Sequence, residues 1–360
     1  MTMSRFWHSK KVLITGHTGF VGSWVTLLFE RLGSTVVGYS KSVPTRPSLF
    51  EITELGSRVE SIEADIRDYD KLSSVLEVHK PEIIVHLAAQ PIVKESFESP
   101  LSTYSTNVLG TANLLEVIRQ LDSEVVLLNM TSDKCYENIG KLRGYTEDDK
   151  LGGRDPYSSS KACSDLITHA YRESYFKKNS LQEHGKSICT VRAGNIVGGG
   201  DWAKYRLVPD CIRSFEANQT LLLRYPEAVR PWQHVLDVIR GFHLLVVKLI
   251  ETKGEISGAW NFGPSEACHW STKDVVEFIA SLYGGQPNWE IDDRKQAPEE
   301  QLLTLDNTKS KTILGWNPIW DTRKALERTI SWYKCYKDNP KKIVDYTNKQ
   351  IDQYLFESGF

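Results

Sequence analysis

The 360-residue chain has no apolar run near the roughly 20 residues that a membrane span needs. It has almost no net charge, −2 at pH 7, which excludes the basic footprint of a nucleic-acid or anionic-membrane binder. Cysteine is sparse. Cys135, Cys163, Cys189, Cys211, Cys268 and Cys335 form no CxxC pair and no metal-ligand spacing, so free thiols, a reducing compartment and no metal are expected. No signal-peptide core precedes the first apolar run at Val12, and the expected location is cytoplasmic. Internal repeats and low-complexity tracts are lacking too. What is there is an ordinary globular composition, 40% hydrophobic and 25% charged, long enough for two subdomains.

The first half alternates short apolar runs with helical segments. Strands are expected at 12–15, 35–39, 61–64, 83–88, 125–130 and 187–192. Helices are expected at 23–32, 69–78 and 100–120, with another after Pro156. That rhythm implies right-handed crossovers and an α/β fold, a Rossmann-type doubly wound parallel sheet. After Arg192 the rhythm breaks, and five of the ten tryptophans lie between Trp232 and Trp316. The expected division is a dinucleotide-binding domain of 1–192 plus about 231–264, and a smaller, mixed substrate domain of about 193–230 and 265–360.

Gly16-His17-Thr18-Gly19-Phe20-Val21-Gly22 follows the first strand and opens a helix. Glycines there permit a tight turn and close backbone approach, and the free N–H groups of the helix start suit a pyrophosphate. The second strand ends in Gly38-Tyr39-Ser40-Lys41, without the usual acid for the adenosine ribose. Ser40 can bond a ribose hydroxyl, while Lys41 and Arg46 could take a 2′-phosphate, so NAD and NADP stay open on these residues. Asp65 and Ile66 follow the third strand near the expected adenine. Ala88 and Ala89 offer small side chains where backbone must approach a cofactor.

Tyr157 and Lys161 lie four apart behind Pro156, a helix-start signal, and so share one helix face. A neighbouring ammonium and a cationic nicotinamide favour phenolate and lower the tyrosine pKa from about 10. A tyrosinate can take an alcohol proton while hydride leaves for the cofactor. Ser132, after the fifth strand, completes the pattern.

The ordered set of motifs resembles the extended short-chain dehydrogenase/reductase superfamily, in its nucleotide-sugar-modifying branch. The resemblance runs through Leu87-Ala88-Ala89, Asn107 to Thr111, Arg192 to Asn195, Arg230-Pro231-Trp232 with Val235 and Asp237, Asn261-Phe262-Gly263, and Leu314-Gly315-Trp316. The run Ser132-Asp133-Lys134-Cys135-Tyr136 is similar to that of CDP-glucose 4,6-dehydratases; 4-epimerases carry small, non-ionisable residues there. The resemblance implies bound NAD, contacted also by Leu87 and Asn107. It implies oxidation of the sugar at C4, loss of water across C5–C6 and hydride return to C6, towards the 3,6-dideoxyhexoses of lipopolysaccharide O-antigen. Tyr157 would deprotonate O4, Ser132 bond O4 and Asp133 protonate the departing C6 hydroxyl. Lys134 would be the C5 base or an electrostatic stabiliser of the enolate. Asn195, Arg230, Asn261 and Arg294 match diphosphate-binding positions, with Lys204 and Tyr205 near the nucleotide. The expected partner is CDP-glucose; UDP-N-acetylglucosamine 4,6-dehydration and 4-epimerisation are the alternatives. Helices around 100–120 and 159–176 imply a homodimer, with a tetramer open. His17 departs from the small residue usual in the loop, and an imidazole crowding the cofactor predicts weaker NAD retention than in relatives with a small residue there.

Overall fold

The computed structural model describes every residue except 1–2, 142, 265–269, 285–287, 293–301 and 360. Cys268 and Arg294 therefore lie outside the described residues. Eleven strands occur among the described residues: β1 Lys11–Thr15, β2 Thr35–Ser40, β3 Glu60–Glu63, β4 Ile83–His86, β5 Val125–Met130, β6 Lys186–Ala193, β7 Ile196–Val197, β8 Leu221–Leu223, β9 Gln233–His234, β10 Ala259–Phe262 and β11 Trp289–Ile291. Seven of them build one parallel sheet in the order β10-β6-β5-β4-β1-β2-β3. The order reverses direction between β1 and β4, which opens a crevice at their carboxyl ends.

The side-chain period of two explains why the central strands carry consecutive apolar residues. Val12 and Ile14 join one buried cluster, and Leu13 between them joins another on the opposite face. Ile83 and Val85 against Ile84, and Val126 and Leu128 against Leu127, repeat the pattern. Both faces are covered, as crossovers require. Helices Tyr69–His79 and Gly110–Gln120 cover the second face. Helices Phe20–Arg31 and Val235–Glu251 cover the first, and the buried Trp316, Trp320 and Trp332 extend that same core.

The strand expected at 83–88 stops at His86. There the Thr15 hydroxyl accepts the N–H groups of both Leu87 and Ala88, at 3.1 and 3.2 Å, and draws the chain out of the sheet. The helix expected over 100–120 is three pieces, Pro100–Tyr104, a π-helical Ser105–Leu109 and Gly110–Gln120. The part after Arg192 is mixed as expected. It contains the two-stranded parallel sheets β11-β8 and β7-β9 beside helices Leu207–Glu216, Thr272–Tyr283, Thr308–Leu314, Thr322–Asp338 and Ile343–Glu357.

Candidate active site

A cleft of about 680 Å³ runs along the carboxyl ends of the strands, from Ser40 and Asp65 past Gly16 to Asp133, Tyr157 and Arg230. At its first end Gly16 has φ +76°, and a Cβ there would stand 2.7 Å from the Ala88 nitrogen. A Cβ on Gly22 would overlap the Gly16 carbonyl. Helix Phe20–Arg31 begins at Gly19 with no side-chain cap, so its first N–H groups face the cleft unshared with a capping side chain. A pyrophosphate fits this cradle. Thr18, Gly19, Phe20, Val21, Gly22, Leu87, Ala88 and Ala89 all line it, as do Ser40, Asp65 and Ile66. Arg67 binds the Asp65 carboxylate at 2.6 Å and holds its pKa down at about 2. Lys41 stands 3.7 Å from the same carboxylate and Arg46 3.2 Å from Glu51, so both candidate phosphate cations already face an acid.

His17 is not where its loop position suggested. Its ring is 1% exposed and turns beneath β2, with Nδ1 2.9 Å from Ser40 Oγ, Nε2 2.7 Å from Ser61 Oγ, and its edge against Phe50. It does not line the cleft, so direct crowding of a cofactor by the imidazole is not what the geometry provides. Its tie to the cleft is Ser40, whose hydroxyl also accepts the Thr18 N–H at 3.3 Å.

The other end is built on helix Pro156–Ser174. Asp155 caps it by accepting the Ser158 N–H at 2.9 Å, and Pro156 takes the first position, where no N–H is needed. Tyr157 and Lys161 both reach the cleft. The Lys161 ammonium donates to the Met130 carbonyl at 3.2 Å, and burial lowers its pKa to about 8. Burial raises the Tyr157 phenol to about 12, partly offset by a hydrogen bond with Ser132 and by the positive charge of Arg206. The lowered tyrosine expected from the sequence is thus absent in the protein alone, because desolvation outweighs the neighbouring cations.

Ser132, Asp133 and Lys134 follow β5 in a tight turn that faces Tyr157 across the cleft. Ser132 Oγ donates to Asp133 Oδ1 at 3.0 Å and accepts the Lys134 N–H at 3.2 Å. Asp133 is 3% exposed, and burial raises its carboxyl pKa against the pull of Lys134 and Arg230. Its second oxygen, Oδ2, is buried without a hydrogen-bond partner. A raised pKa and an unmatched oxygen are what a carboxylic acid held ready to donate to a bound molecule requires.

Of the expected diphosphate partners, Asn195 and Arg230 line the cleft, with Tyr205 beside them. Lys204, the neighbour of Tyr205, does not line it. Asn261 does not line it either. It is fully buried, accepting from Tyr136 Oη at 2.7 Å and donating to the carbonyls of Tyr145 and Asp306. Asn107 is likewise committed: it pairs with both backbone groups of Gln90 and donates to Ser160 Oγ at 2.8 Å. Sequence reasoning missed Arg206, which lines the cleft and pairs with Asp201 at 2.9 Å. The signal was available in the charges around the glycine-rich loop Gly198–Trp202, but pairing five residues apart outside a helix has no periodicity to read.

A family model described as GDP-mannose 4,6 dehydratase matches residues 13–329. A CDP-glucose 4,6-dehydratase of Salmonella typhimurium is 42% identical over 355 residues, covering 99% of both chains. A dTDP-glucose 4,6-dehydratase of the same organism is 27% identical, over 90% of this chain and 92% of its own. The solved structure of DesIV, a dTDP-glucose 4,6-dehydratase from Streptomyces venezuelae with NAD and TYD bound, aligns with a TM-score of 0.78. It covers 93% of this chain and 99% of its own at 24% identity, a likeness of fold. With the doubly wound sheet, the glycine cradle and the Tyr157–Lys161 pair in place, the chain belongs to the GDP-mannose 4,6 dehydratase family, the nucleotide-sugar dehydratases of the extended short-chain dehydrogenase/reductase fold.

Proposed function

We propose that this chain removes water from CDP-glucose to give CDP-4-keto-6-deoxyglucose. The observation that carries the reading is Asp133, a buried carboxyl with an unmatched oxygen, joined through Ser132 to Tyr157 in one cleft. An epimerase that oxidises C4 and reduces it again has no use for such an acid. A dehydratase needs one for the departing C6 hydroxyl. Cytidine as the base rests on kinship with the Salmonella relative.

NAD, when bound in the glycine cradle, supplies the acceptor and later the donor of a hydride. The protein supplies the protons and their placement. Tyr157 takes the O4 proton, with Ser132 bonding O4 and Lys161 stabilising the phenolate from the same helix face. The resulting 4-keto group acidifies the C5 proton. Asp133, its carboxyl pKa raised by burial, gives a proton to the C6 hydroxyl as it leaves. Lys134 stands at C5, either taking that proton or stabilising the enolate by its charge. Arg230 and Asn195 receive the diphosphate.

The test is incubation of the purified protein with CDP-glucose and NAD, followed in base by the ultraviolet absorbance of a 4-keto sugar. No 4-keto product sinks the dehydratase reading. Product from UDP-N-acetylglucosamine but not from CDP-glucose keeps the reaction and overturns the substrate. We further place the enzyme in the cytoplasm, on a route to the 3,6-dideoxyhexoses of O-antigen, as a homodimer through helices Pro100–Tyr104, Gly110–Gln120 and Pro156–Ser174. Leu101 and Leu166 on these helices, and Leu109 on the π-helical segment, are 83%, 50% and 60% exposed. An apolar set of this kind suits a partner helix pair.

A further inference from the structure

Tyr157, Lys161 and Asp165 stand four residues apart and share one face of helix Pro156–Ser174. The first two reach the cleft, whereas Asp165 is 2% exposed and lies behind it. There it holds Arg192 of β6 in a two-pronged ion pair, Nε to Oδ2 and Nη2 to Oδ1, both at 2.8 Å. Arg192 continues to Tyr136, donating Nη1 to its hydroxyl at 2.9 Å with the guanidinium 4.9 Å from the ring centroid. Thr131 donates to Asp165 Oδ2 at 3.1 Å. Thr131 and Tyr136 bracket the segment of Ser132, Asp133, Lys134 and Cys135. Both ends of the acid-bearing turn are therefore tied to one ion pair, and that pair is rooted in the helix that bears the redox residues.

A buried ion pair is a poor way to stabilise a fold, since well-packed apolar residues do as well, but its geometry is directional. We propose that Asp165 and Arg192 are positioning residues that set the register between Tyr157–Lys161 and Asp133–Lys134. C4 oxidation and C5–C6 elimination then happen on one substrate pose. Which pair serves which step rests on the function proposed above. Misplacement of a reacting group by an ångström costs up to about 100-fold, so a loosened turn should slow elimination more than oxidation.

Replacing Asp165 or Arg192 strands a buried charge and endangers folding, so the test uses Thr131→Val and Tyr136→Phe, each of which cuts one tie to the ion pair, Tyr136→Phe also removing the bond to Asn261 Oδ1. Two readouts are taken. In single turnover with CDP-glucose, formation of 4-keto-6-deoxy product should fall about tenfold, while reduction of the nicotinamide by substrate, seen by its near-ultraviolet absorbance, changes less than about twofold. Without any substrate, amide hydrogen exchange should speed up in residues 132–136 of each variant. Equal loss of both rates, no loss of either, or unchanged exchange in that turn overturns the positioning role. A wild type that makes no product overturns the function reading instead, and the exchange measurement then decides the positioning role by itself.

Discussion

Asp133 and Tyr157 serve different halves of the proposed reaction, and their replacement should separate those halves. Asp133→Asn keeps the shape but cannot act as an acid. We expect substrate to reduce the nicotinamide while release of water stops, measured as cofactor absorbance against product. Normal turnover of that variant would remove Asp133 from the mechanism. Tyr157→Phe should instead stop both, with turnover falling about 100-fold or more for loss of the general base. The burial that lifts the phenol to about 12 makes the same point. In the protein alone the proton stays on, because Ser132 and Arg206 offset only part of the burial, and the positive charge of a bound nicotinamide would add to theirs.

At the scale of elements, the π-helical segment Ser105–Leu109 is the feature that apolar periodicity could not announce. Its wider turn carries Asn107 inward, where it fastens Gln90 at the end of the cleft and Ser160 beside Lys161. Asn107→Ala leaves those partners unmatched in the interior. A loss of about 2 kcal/mol in unfolding free energy is expected, read by denaturant titration. Five of the seven sheet strands were legible because both faces are buried and the runs are mostly apolar, and the mostly exposed edge strand β3 was marked by its place in the alternation. β10 was not marked, because Ala259–Phe262 includes Asn261, a polar residue whose partners come from distant parts of the chain. The same cause explains the two asparagines that do not line the cleft. Motif order marks a position as special but does not say whether its amide faces a ligand or a neighbouring carbonyl. Asp133 and Tyr157 were legible because chemistry restricts which residues can do their work. Arg206 and Asp201 were not, because only the folded loop joins them.

At the scale of the whole molecule, four histidines among the described residues are buried with depressed pKa values, His17 and His243 at about 4, His86 and His234 at about 3. Desolvation is the main cause in each. An unfolded chain takes up these protons near its ordinary value of about 6.5, whereas the folded chain resists until much lower. Stability is therefore full above about 6.5 and is lost as pH falls towards 4, by up to about 1.4 kcal/mol per pH unit for each histidine. Asp237, raised to about 6 by burial, opposes this at the acid end. Unfolding midpoints should fall steadily from about pH 7 to about pH 5; a flat profile would contradict the burial of these rings. The proposed dimer is checked separately: Leu101→Glu with Leu166→Glu should give a monomer in sedimentation.

The packing of His17 against β2 has an evolutionary consequence. A Cβ at Gly38 would overlap the His17 ring, so alanine at 38 is admissible only after 17 has become small. That first step, shrinking 17, leaves a hole and two serine hydroxyls without the ring nitrogens they face. The two positions form an epistatic pair with one passable order of change. In a library randomised at both, viable clones should hold histidine at 17 only together with glycine at 38.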